Sequence, residues 1–410
     1  MDILVEDVGE SLWAAAADKN RLCHLEVDPS TERVRYGSIY WAQVKRIDAS
    51  MDAAFLDLDG ENTGILYNRD TRQMAENGQF IKGGDQAIGK TLASGDMVLV
   101  QARTSYLPHD ADEDLPSLQK TPIMTMDVAI HGRYLIHTPM DPKSRTSRRI
   151  SNKKLKDQLE RMVDDLMPDA RVILRKASAH TQTDFIKREV TVLHTVFETI
   201  KKSATGQQAH LIMLGPDAVQ RVLADTSADR IDHIDITTLD QIDRIQEWCR
   251  IFAPDLIPKI RRVDVEDESL SEDLVLFMSV PSIMDQIDGL LEQYVVLPGG
   301  GNIIIQETAA LIAIDINSGP DRRGALAVNL EAAKTIAHHI HLRNLGGIIL
   351  IDFLKMSDPD LRRKVMDELR HQFDDDPCTV DVHGFTRLGL LELTRHRRTP
   401  AFMDRIGALS

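Results

Sequence analysis

The sequence has 410 residues, of which 42% are hydrophobic and 28% are charged. This balance is typical of globular proteins with a sizeable core, and at ~150 residues per domain the length indicates two to four domains. The net charge of −15 argues against blanket binding to nucleic acid, although it does not exclude local basic patches.

Three further features bear on where the protein works. The sequence contains no run of ~18 apolar residues of the kind that predicts a membrane span. The N-terminus lacks the basic-then-apolar order of a signal peptide. Cys23, Cys249 and Cys378 lie far apart without a Cys-x-x-Cys pair, so we expect neither a disulfide framework nor a cysteine-rich zinc site within the chain. Together these features favour a cytoplasmic protein.

The N-terminal part of the sequence predicts a small β-barrel. Strand-forming runs begin with Ile3–Val5 and Arg21–Val27 and become dense from Gly37 onward. Glycines separate the later runs, which is the pattern of a barrel built from several short strands. These later runs are Ser38–Ile47, Ala53–Leu58, Gly64–Leu66 and Asp96–Gln101.

The middle of the chain predicts helices and a basic patch. Ser151 is a candidate N-cap for a helix with an apolar face from Leu155 to Leu166, and a second helix is predicted from Phe185 to Ile200. The stretch Lys143–Lys156 contains seven basic residues and no acidic one. It suits a phosphate ligand, and so does the run Arg395–Arg398, but solvated turns explain both equally well.

The C-terminal part has the clearest pattern, an apolar strand, a helix and a second apolar strand. Asp315 and Asn317 follow the first strand, Ala310–Ile314, and Asp352 follows the second, Gly347–Ile351. If the strands are parallel neighbours, the helical crossover puts both aspartates at the same edge. Carboxylates there can hold a hard cation that polarises a phosphoryl group and activates water. Aspartates that only cap turns would give the same pattern.

Two other patterns have competing interpretations. Gly84–Thr91 matches the phosphate-loop pattern G-x-x-x-x-G-K-[ST], but Gly95 follows too soon for the helix that such a loop opens. His338, His339 and His341 lie in the crossover helix. We expect them to be solvated, because no carboxylate partner is evident on that face.

Several segments closely resemble the ribonuclease E/G family. Upstream, the stretch from Gly37 to Asp57 resembles the inserted RNA-binding OB-fold of that family. The resemblance spans nearly the whole chain, and its C-terminal segments are highly specific. These are Leu297–Gly301, Thr308–Gly319, Asn329–Ala333, Leu342–Phe353 and Arg387–Arg395.

The resemblance implies an endoribonuclease that cuts single-stranded RNA with Mg²⁺ during RNA processing or decay and leaves a 5′-phosphate on the downstream product. Asp315 and Asp352 would hold the metal, and Asn317 would complete the catalytic set. Phe55 matches an aromatic residue that stacks on RNA, and Lys120 matches a basic residue of the same surface.

The family also has a pocket that senses a 5′-monophosphate on RNA. Gly132, Ile136 and Arg175 match its positions, and Arg175 would contact the phosphate. Lys176 replaces a threonine there, and a further arginine of the family is absent near Thr379. Lys176 or the basic patch could compensate, so the resemblance leaves 5′-end sensing open.

Two more departures change the expected surfaces and assembly. Ile65 stands where a second RNA-facing aromatic is usual, which predicts weaker base stacking. The sequence ends at Ser410 before any Cys-Pro-x-Cys element. We therefore expect Mg²⁺ but no zinc and no zinc-linked tetramer, while a homodimer stays open.

The predicted fold is an α/β protein of several subdomains, as the resemblance implies. An RNase H-like subdomain is split between residues 1–35 and 222–290. An OB-fold RNA-binding barrel at 36–125 and a 5′-sensor region at 126–221 are inserted into it. A DNase I-like catalytic subdomain follows at 291–410.

Two alternative functions stay open. One is an RNA-binding regulator with the same fold and weak catalysis, which the altered sensor favours. The other is a nucleotide hydrolase that uses Gly84–Thr91. The intact Asp315/Asp352 pair favours the nuclease, because a pure RNA binder has no need of two carboxylates facing a polyanion.

Overall fold

The computed structural model describes residues 1–74, 80–107, 121–147, 150, 152–168, 170–263 and 274–407. The chain forms two compact units. Unit 1 comprises Met1–Pro29, Asp235–Thr237 and Val263–Ser410, and unit 2 comprises Ser30–Ile234 and Thr238–Arg262. The fold is mixed α/β, as predicted. Among the described residues no helix is long and apolar enough to cross a membrane.

Unit 1 begins with an antiparallel meander of β1 (Asp2–Val8), β2 (Ser11–Asp18) and β3 (Arg21–Asp28). Strand β2 is not among the predicted elements, because its alanine run favours a helix by local propensity. Ala14–Ala17 are all buried in the sheet. Trp13 precedes them and makes edge-on ring contacts with Phe277 and Phe402, at centroid distances of 6.1 and 6.3 Å.

Unit 2 contains the predicted barrel. Its described strands close in the order β4-β5-β6-β10-β9, with β9 pairing back to β4, which is consistent with an OB-like domain. Gly64 allows β6 and β10 to approach, since a Cβ there would lie only 2.6 Å from Cγ of Met124. The elements of this region are β4 (Ile39–Asp48), β5 (Ala53–Asp57), β6 (Thr63–Tyr67), β7 (Arg72–Met74), β8 (Phe80–Lys82), β9 (Met97–Ala102) and β10 (Ile123–Thr125).

The rest of unit 2 packs helices against a second sheet, in the strand order β11-β12-β14-β13. Helix α1 begins after Asn152, whose side chain accepts a hydrogen bond from the Leu155 backbone N–H at 3.1 Å. The predicted cap, Ser151, lies outside the described residues. The elements from here to Arg262, of which β16 runs into the unit 1 segment Asp235–Thr237, are β11 (Ile130–His131), β12 (Leu135–His137), β13 (Arg145–Thr146), α1 (Lys153–Leu166), β14 (Val172–Leu174), α2 (Thr183–Ser203), β15 (His210–Met213), α3 (Ala218–Asp225), β16 (His233–Ile236), α4 (Leu239–Phe252) and β17 (Ile260–Arg262).

The C-terminal part of unit 1 is built on a six-stranded sheet in the order β18-β19-β20-β21-β23-β22. Strands β20 and β21 are parallel neighbours joined by α7, which confirms the predicted strand–helix–strand unit. The elements are α5 (Val275–Ser279), α6 (Ile283–Gly289), β18 (Tyr294–Val296), β19 (Asn302–Glu307), β20 (Ile312–Asn317), α7 (Ala325–Leu342), β21 (Gly347–Asp352), α8 (Pro359–Gln372), β22 (Thr379–Phe385), β23 (Leu391–His396) and α9 (Phe402–Gly407).

The two faces of this sheet differ in character. Helices α7 and α8 cover one face, where alternate residues such as Ile314, Ile349 and Leu393 are buried in a common core. The intervening residues point to the other face, where Val296 and Ile348 are exposed. Side chains that follow the strands with a period of two are thus sorted into core and surface.

A buried ion pair fixes β23 in unit 1. Arg395 donates to both carboxylate oxygens of Asp376, at 3.0 and 3.1 Å, and to Oδ1 of Asn344 at 2.9 Å. Burial alone would raise the pKa of Asp376, but the neighbouring His341 and Arg395 outweigh it and hold that pKa well below its usual range. The pair is therefore charged and fully hydrogen-bonded inside the protein.

The crossover-helix histidines differ from the expectation of solvated side chains. All three are half-buried, and Nδ1 of His341 lies 3.6 Å from Oδ2 of Asp376. Burial lowers the pKa of His338 to about 4 and that of His339 to about 3. The prediction was wrong for His341 because its carboxylate partner comes from a distant part of the sequence, and for His338 and His339 because the packed fold half-buries them.

We predict that Asp376→Ala lowers the free energy of unfolding by about 3–5 kcal/mol, because it leaves the buried Arg395 cation uncompensated. Urea unfolding followed by circular dichroism measures the loss. The control Asp374→Ala removes an exposed carboxylate and should change stability by less than about 0.5 kcal/mol. Equal unfolding midpoints for the two variants would contradict the prediction.

Candidate active site

Asp315 and Asp352 face each other at the ends of two parallel strands. They are direct register partners in the β20–β21 ladder, and both are exposed. The flanking Ile314 and Ile316 turn into the core on the opposite face. The expected common edge is therefore present, and the two carboxylates project from the same side of the sheet.

Asn317 orients the first of these carboxylates. Its Nδ2 donates to Oδ2 of Asp315 at 2.8 Å. It also lies 3.4 Å from Oδ1 of Asn302 on the adjacent strand β19. The amide therefore restricts the Asp315 side chain and offers its own oxygen on the same surface.

Helix α7 anchors the chain on the far side of Asp352. The buried Asn329 accepts a hydrogen bond from the Leu354 backbone N–H at 3.0 Å and donates to the Leu354 carbonyl at 2.9 Å. The backbone that leaves β21 is thus clamped to the helix two residues after Asp352. This role was not predicted, although Asn329 lies in a segment that carries the family resemblance.

Arg323 organises the loop that follows Asn317. It forms ion pairs with Asp321 and with Glu331 of α7. The hydrogen bonds that Arg323 donates to these two carboxylates raise its pKa. Glu331 also accepts from the Gly299 backbone N–H at 3.2 Å, and a Cβ at Gly299 would overlap the guanidinium. The glycine turn, the loop and the helix are therefore tied together beside the two aspartates.

The donor set fits a divalent cation of the Mg²⁺ type. Among the described residues, no group of three or more His, Cys, Asp or Glu side chains has the arrangement of a metal cage. Mg²⁺ does not need one, since it is commonly held by one or two carboxylates with water and substrate phosphate completing the octahedron. Asp315 and Asp352 supply this number of carboxylates.

Of the two predicted RNA-contacting residues, Phe55 lies in the barrel of unit 2. Phe55 on β5 is half-buried and is the register partner of Ile65 on β6, which is buried. The guanidinium of Arg46, which was not predicted to contribute, lies over the Phe55 ring. The predicted partner Lys120 lies outside the described residues.

The predicted sensor residues are brought together in unit 2. Arg175 donates to the Gly132 carbonyl at 2.9 Å and to Oδ1 of Asp225 at 2.7 Å. Ile136 lies on β12, opposite Ile173, and Lys176 is exposed at the start of a short 3-10 helix. Arg175 is therefore held by protein groups, and Lys176 is the more accessible cation.

A buried carboxylate that was not predicted supports this region. Glu189 of α2 accepts hydrogen bonds from the backbone N–H groups of Arg133, Tyr134 and Leu135, at 2.7, 2.8 and 2.8 Å. Burial raises the pKa of Glu189 to about 7, although the three hydrogen bonds oppose the increase. A Cβ at Gly132 would lie 2.5 Å from the carboxylate carbon, so only glycine fits beside Glu189.

The phosphate-loop match has no nucleotide-binding context. Residues 84–91 lie between β8 and β9 and contain a 3-10 turn at Ile88–Lys90 but no α-helix. Oδ1 of Asp52 accepts the Ile88 backbone N–H at 2.9 Å. A carboxylate therefore occupies a backbone donor of the kind that a phosphate would need.

These elements define a protein with a candidate divalent-cation site suited to phosphate esters and with a separate five-stranded barrel. A match to the Ribonuclease E/G family covers residues 129–398, more than half of the chain. The chain belongs to the ribonuclease E/G family.

The chain is similar to relatives of both types in this family. It is 29% identical to ribonuclease E of Haemophilus influenzae over 96% of this chain and 41% of that protein. It is 28% identical to ribonuclease E of a Synechocystis species over 94% of this chain and 55% of that protein. It is 26% identical to ribonuclease G of Salmonella typhimurium over 97% of this chain and 80% of that protein. The chain thus spans about half or less of the ribonuclease E relatives.

We predict that Glu189→Gln destabilises the protein by about 1–3 kcal/mol, because one buried backbone N–H loses its acceptor. Glu198→Gln, which changes a partly exposed carboxylate of the same helix that pairs with Lys201, is the control. The native Glu189 pKa lies above its ordinary value, so the wild type should lose stability between about pH 5 and about pH 8. Denaturant unfolding at the two pH values measures this loss, and the same loss in Glu189→Gln would contradict the assignment.

Proposed function

We propose that this protein is an endoribonuclease that cleaves single-stranded RNA with Mg²⁺ and leaves a 5′-phosphate on the downstream product. The observation that carries the proposal is the direct pairing of Asp315 with Asp352, supported by Asn317, in a member of the ribonuclease E/G family. The names of the relatives indicate ribonuclease activity for those proteins.

Each residue of the site has a distinct role in the proposed reaction. Asp315 and Asp352 would hold Mg²⁺, which would supply Lewis-acid stabilisation of the phosphoryl group and a lowered pKa of bound water. Asn317 keeps the Asp315 carboxylate turned towards the site. Asn329 and Arg323 hold the backbone on either side of the two strand ends, so that little reorganisation is needed on binding.

The bond changes determine the ends of the products. Water adds to the phosphorus of the scissile phosphodiester, the bond to O3′ breaks, and O3′ leaves with a proton. The upstream fragment then ends in a 3′-hydroxyl group and the downstream fragment keeps the phosphate on its 5′ end. Exposure of both aspartates on an open sheet face suits a polymeric substrate, which can pass over the face without threading into a cavity.

The subdomain assignment remains part of the proposal. The closed barrel supports an OB-fold at residues 36–125, and the mixed sheet with α7 and α8 supports a DNase I-like subdomain at 291–410. The sensor region is assigned to residues 126–221, and the RNase H-like subdomain to 1–35 with 222–290. In the sensor region we assign the 5′-phosphate contact chiefly to Lys176, because its side chain is exposed whereas Arg175 is half-buried.

We expect Asp315→Asn and Asp352→Asn each to reduce the cleavage rate by more than about 100-fold, since loss of residues that only orient metal ligands already costs about 10–100-fold. The measurement is the initial rate on a short A/U-rich single-stranded RNA in Mg²⁺, with an EDTA control and identification of the product ends. Asp381→Asn removes an exposed carboxylate from β22 of the same sheet and should leave the rate unchanged.

Two outcomes would overturn this assignment. Retained activity in either purified aspartate variant would remove the proposed metal site. Tight RNA binding by the wild type with no Mg²⁺-dependent cleavage would instead identify an RNA-binding regulator.

We further expect RNA with a 5′-monophosphate to be cleaved faster than the same RNA with a 5′-hydroxyl. Lys176→Met should abolish this advantage while leaving cleavage of the 5′-hydroxyl substrate unchanged, because only the contact to the terminal phosphate is lost. Lys202→Met, which neutralises an exposed lysine at the end of α2, is the charge-matched control. An unchanged rate ratio in Lys176→Met would contradict the role of Lys176.

A further inference from the structure

Arg46 covers the one predicted base-stacking ring of the barrel. In the β4–β5 ladder Arg46 is the register partner of Phe55, and its guanidinium carbon lies 3.6 Å from the centre of the ring. Arg46 is exposed, whereas Phe55 is half-buried. The group that faces solvent here is therefore the planar guanidinium of Arg46 and not the Phe55 ring.

A bulge in β4 produces this exposure. The register between β4 and β5 shifts between Val44 and Arg46, so the usual alternation of faces is interrupted. Lys45 and Arg46 are consequently both exposed, although they are consecutive. Lys45 pairs with Oδ2 of Asp57 at 2.9 Å, which leaves Arg46 as the cation in contact with the ring.

Asp48 orients the Arg46 guanidinium. Its Oδ2 lies 3.2 Å from Nη1 of Arg46, and its Oδ1 accepts from the Ser50 hydroxyl at 2.6 Å and from the Ser50 and Met51 backbone N–H groups. The turn after β4 thus holds the carboxylate, and the carboxylate holds one edge of the guanidinium.

The geometry favours one of two surfaces, the Phe55 ring or the Arg46 guanidinium, on which an RNA base could stack. A base could lie on Phe55 only after Arg46 had moved aside, which would break the cation–π contact and the pairing with Asp48. It could instead lie on the outer face of the guanidinium, since arginine planes stack on bases as aromatic rings do. The second way uses the arrangement already present. It also allows N–H groups of Arg46 to donate to a neighbouring phosphate.

We propose that the guanidinium of Arg46, backed by Phe55, is the surface on which an unpaired base of the RNA substrate stacks. This inference rests on the proposed RNA-cleaving function and adds a recognition residue to it. The buried Ile65 beside Phe55 gives no second aromatic plane at this position, so Arg46 supplies the planar surface that Ile65 lacks.

The test compares Arg46→Ala, Arg46→Lys and the wild type for binding to a short A/U-rich RNA that contains 2-aminopurine. We expect Arg46→Ala to raise the Kd by about 5- to 150-fold, the range for loss of one base stack, and to abolish the fluorescence quenching that stacking causes. Arg46→Lys should restore the salt dependence of binding, measured between about 50 and about 200 mM salt, but not the quenching, because an ammonium group has no plane. Arg363→Ala removes an exposed arginine that pairs with an aspartate in α8 and controls for charge.

Three results would overturn the inference. An unchanged or lower Kd for Arg46→Ala would mean that the base stacks on Phe55 once the ring is uncovered. Full recovery of binding and quenching in Arg46→Lys would mean that charge alone suffices. A wild type that neither binds nor cleaves RNA would overturn the proposed function as well, whereas normal cleavage with either of the first two results would overturn only the role of Arg46. Circular dichroism of each variant verifies that the barrel is folded.

Discussion

Two like charges face each other across a parallel strand pair, and the C-terminal part of unit 1 is arranged around them. Two unit charges about 4 Å apart repel by only about 1 kcal/mol in water, but by many times more in a dry interior. Asp315 and Asp352 are tolerated because they project from the exposed face, while the isoleucines beside them pack against α7 and α8. The repulsion that remains is also what a divalent cation would relieve.

Because Asp315 and Asp352 are exposed, their positions depend on how firmly the flanking backbone is anchored. The site itself is solvated, so it gains little rigidity from packing. Asn329 holds the chain after β21 through paired backbone hydrogen bonds, and Arg323 holds the loop after β20 through two carboxylates. The polar clamps lie on α7, the same helix that connects the two strands, or beside its start. The crossover therefore sets both the strand order and the position of the strand ends.

Carboxylates inside the protein satisfy buried backbone donors and neutralise buried or half-buried cations. Glu189 takes up three backbone donors, Asp376 neutralises Arg395, and Asp225 pairs with Arg175. The chain as a whole has a net charge of −15. Arg46 and Lys176 are exposed in unit 2, and Arg46 also pairs with Asp48. A chain of negative overall charge can thus present positive groups at selected positions, and overall charge is a poor guide to what those positions bind.

The sequence by itself determined the features that depend on local order along the chain. The apolar runs of β20 and β21 with α7 between them favoured a parallel pair, and the observed pairing places Asp315 beside Asp352. The short glycine-separated strands predicted the barrel for a similar reason. Tertiary structure decided what depends on partners distant in sequence: the alanine run of β2 became a strand because neighbouring strands bury it, and His341 met Asp376 rather than solvent. It also placed Arg46 over Phe55, since a bulge shifts the facing of side chains without a clear mark in the sequence. The hydrophobic periodicity of the sequence indicates which side of a helix or strand is apolar. Which residue contacts a given side chain is determined only when the helices and strands pack together.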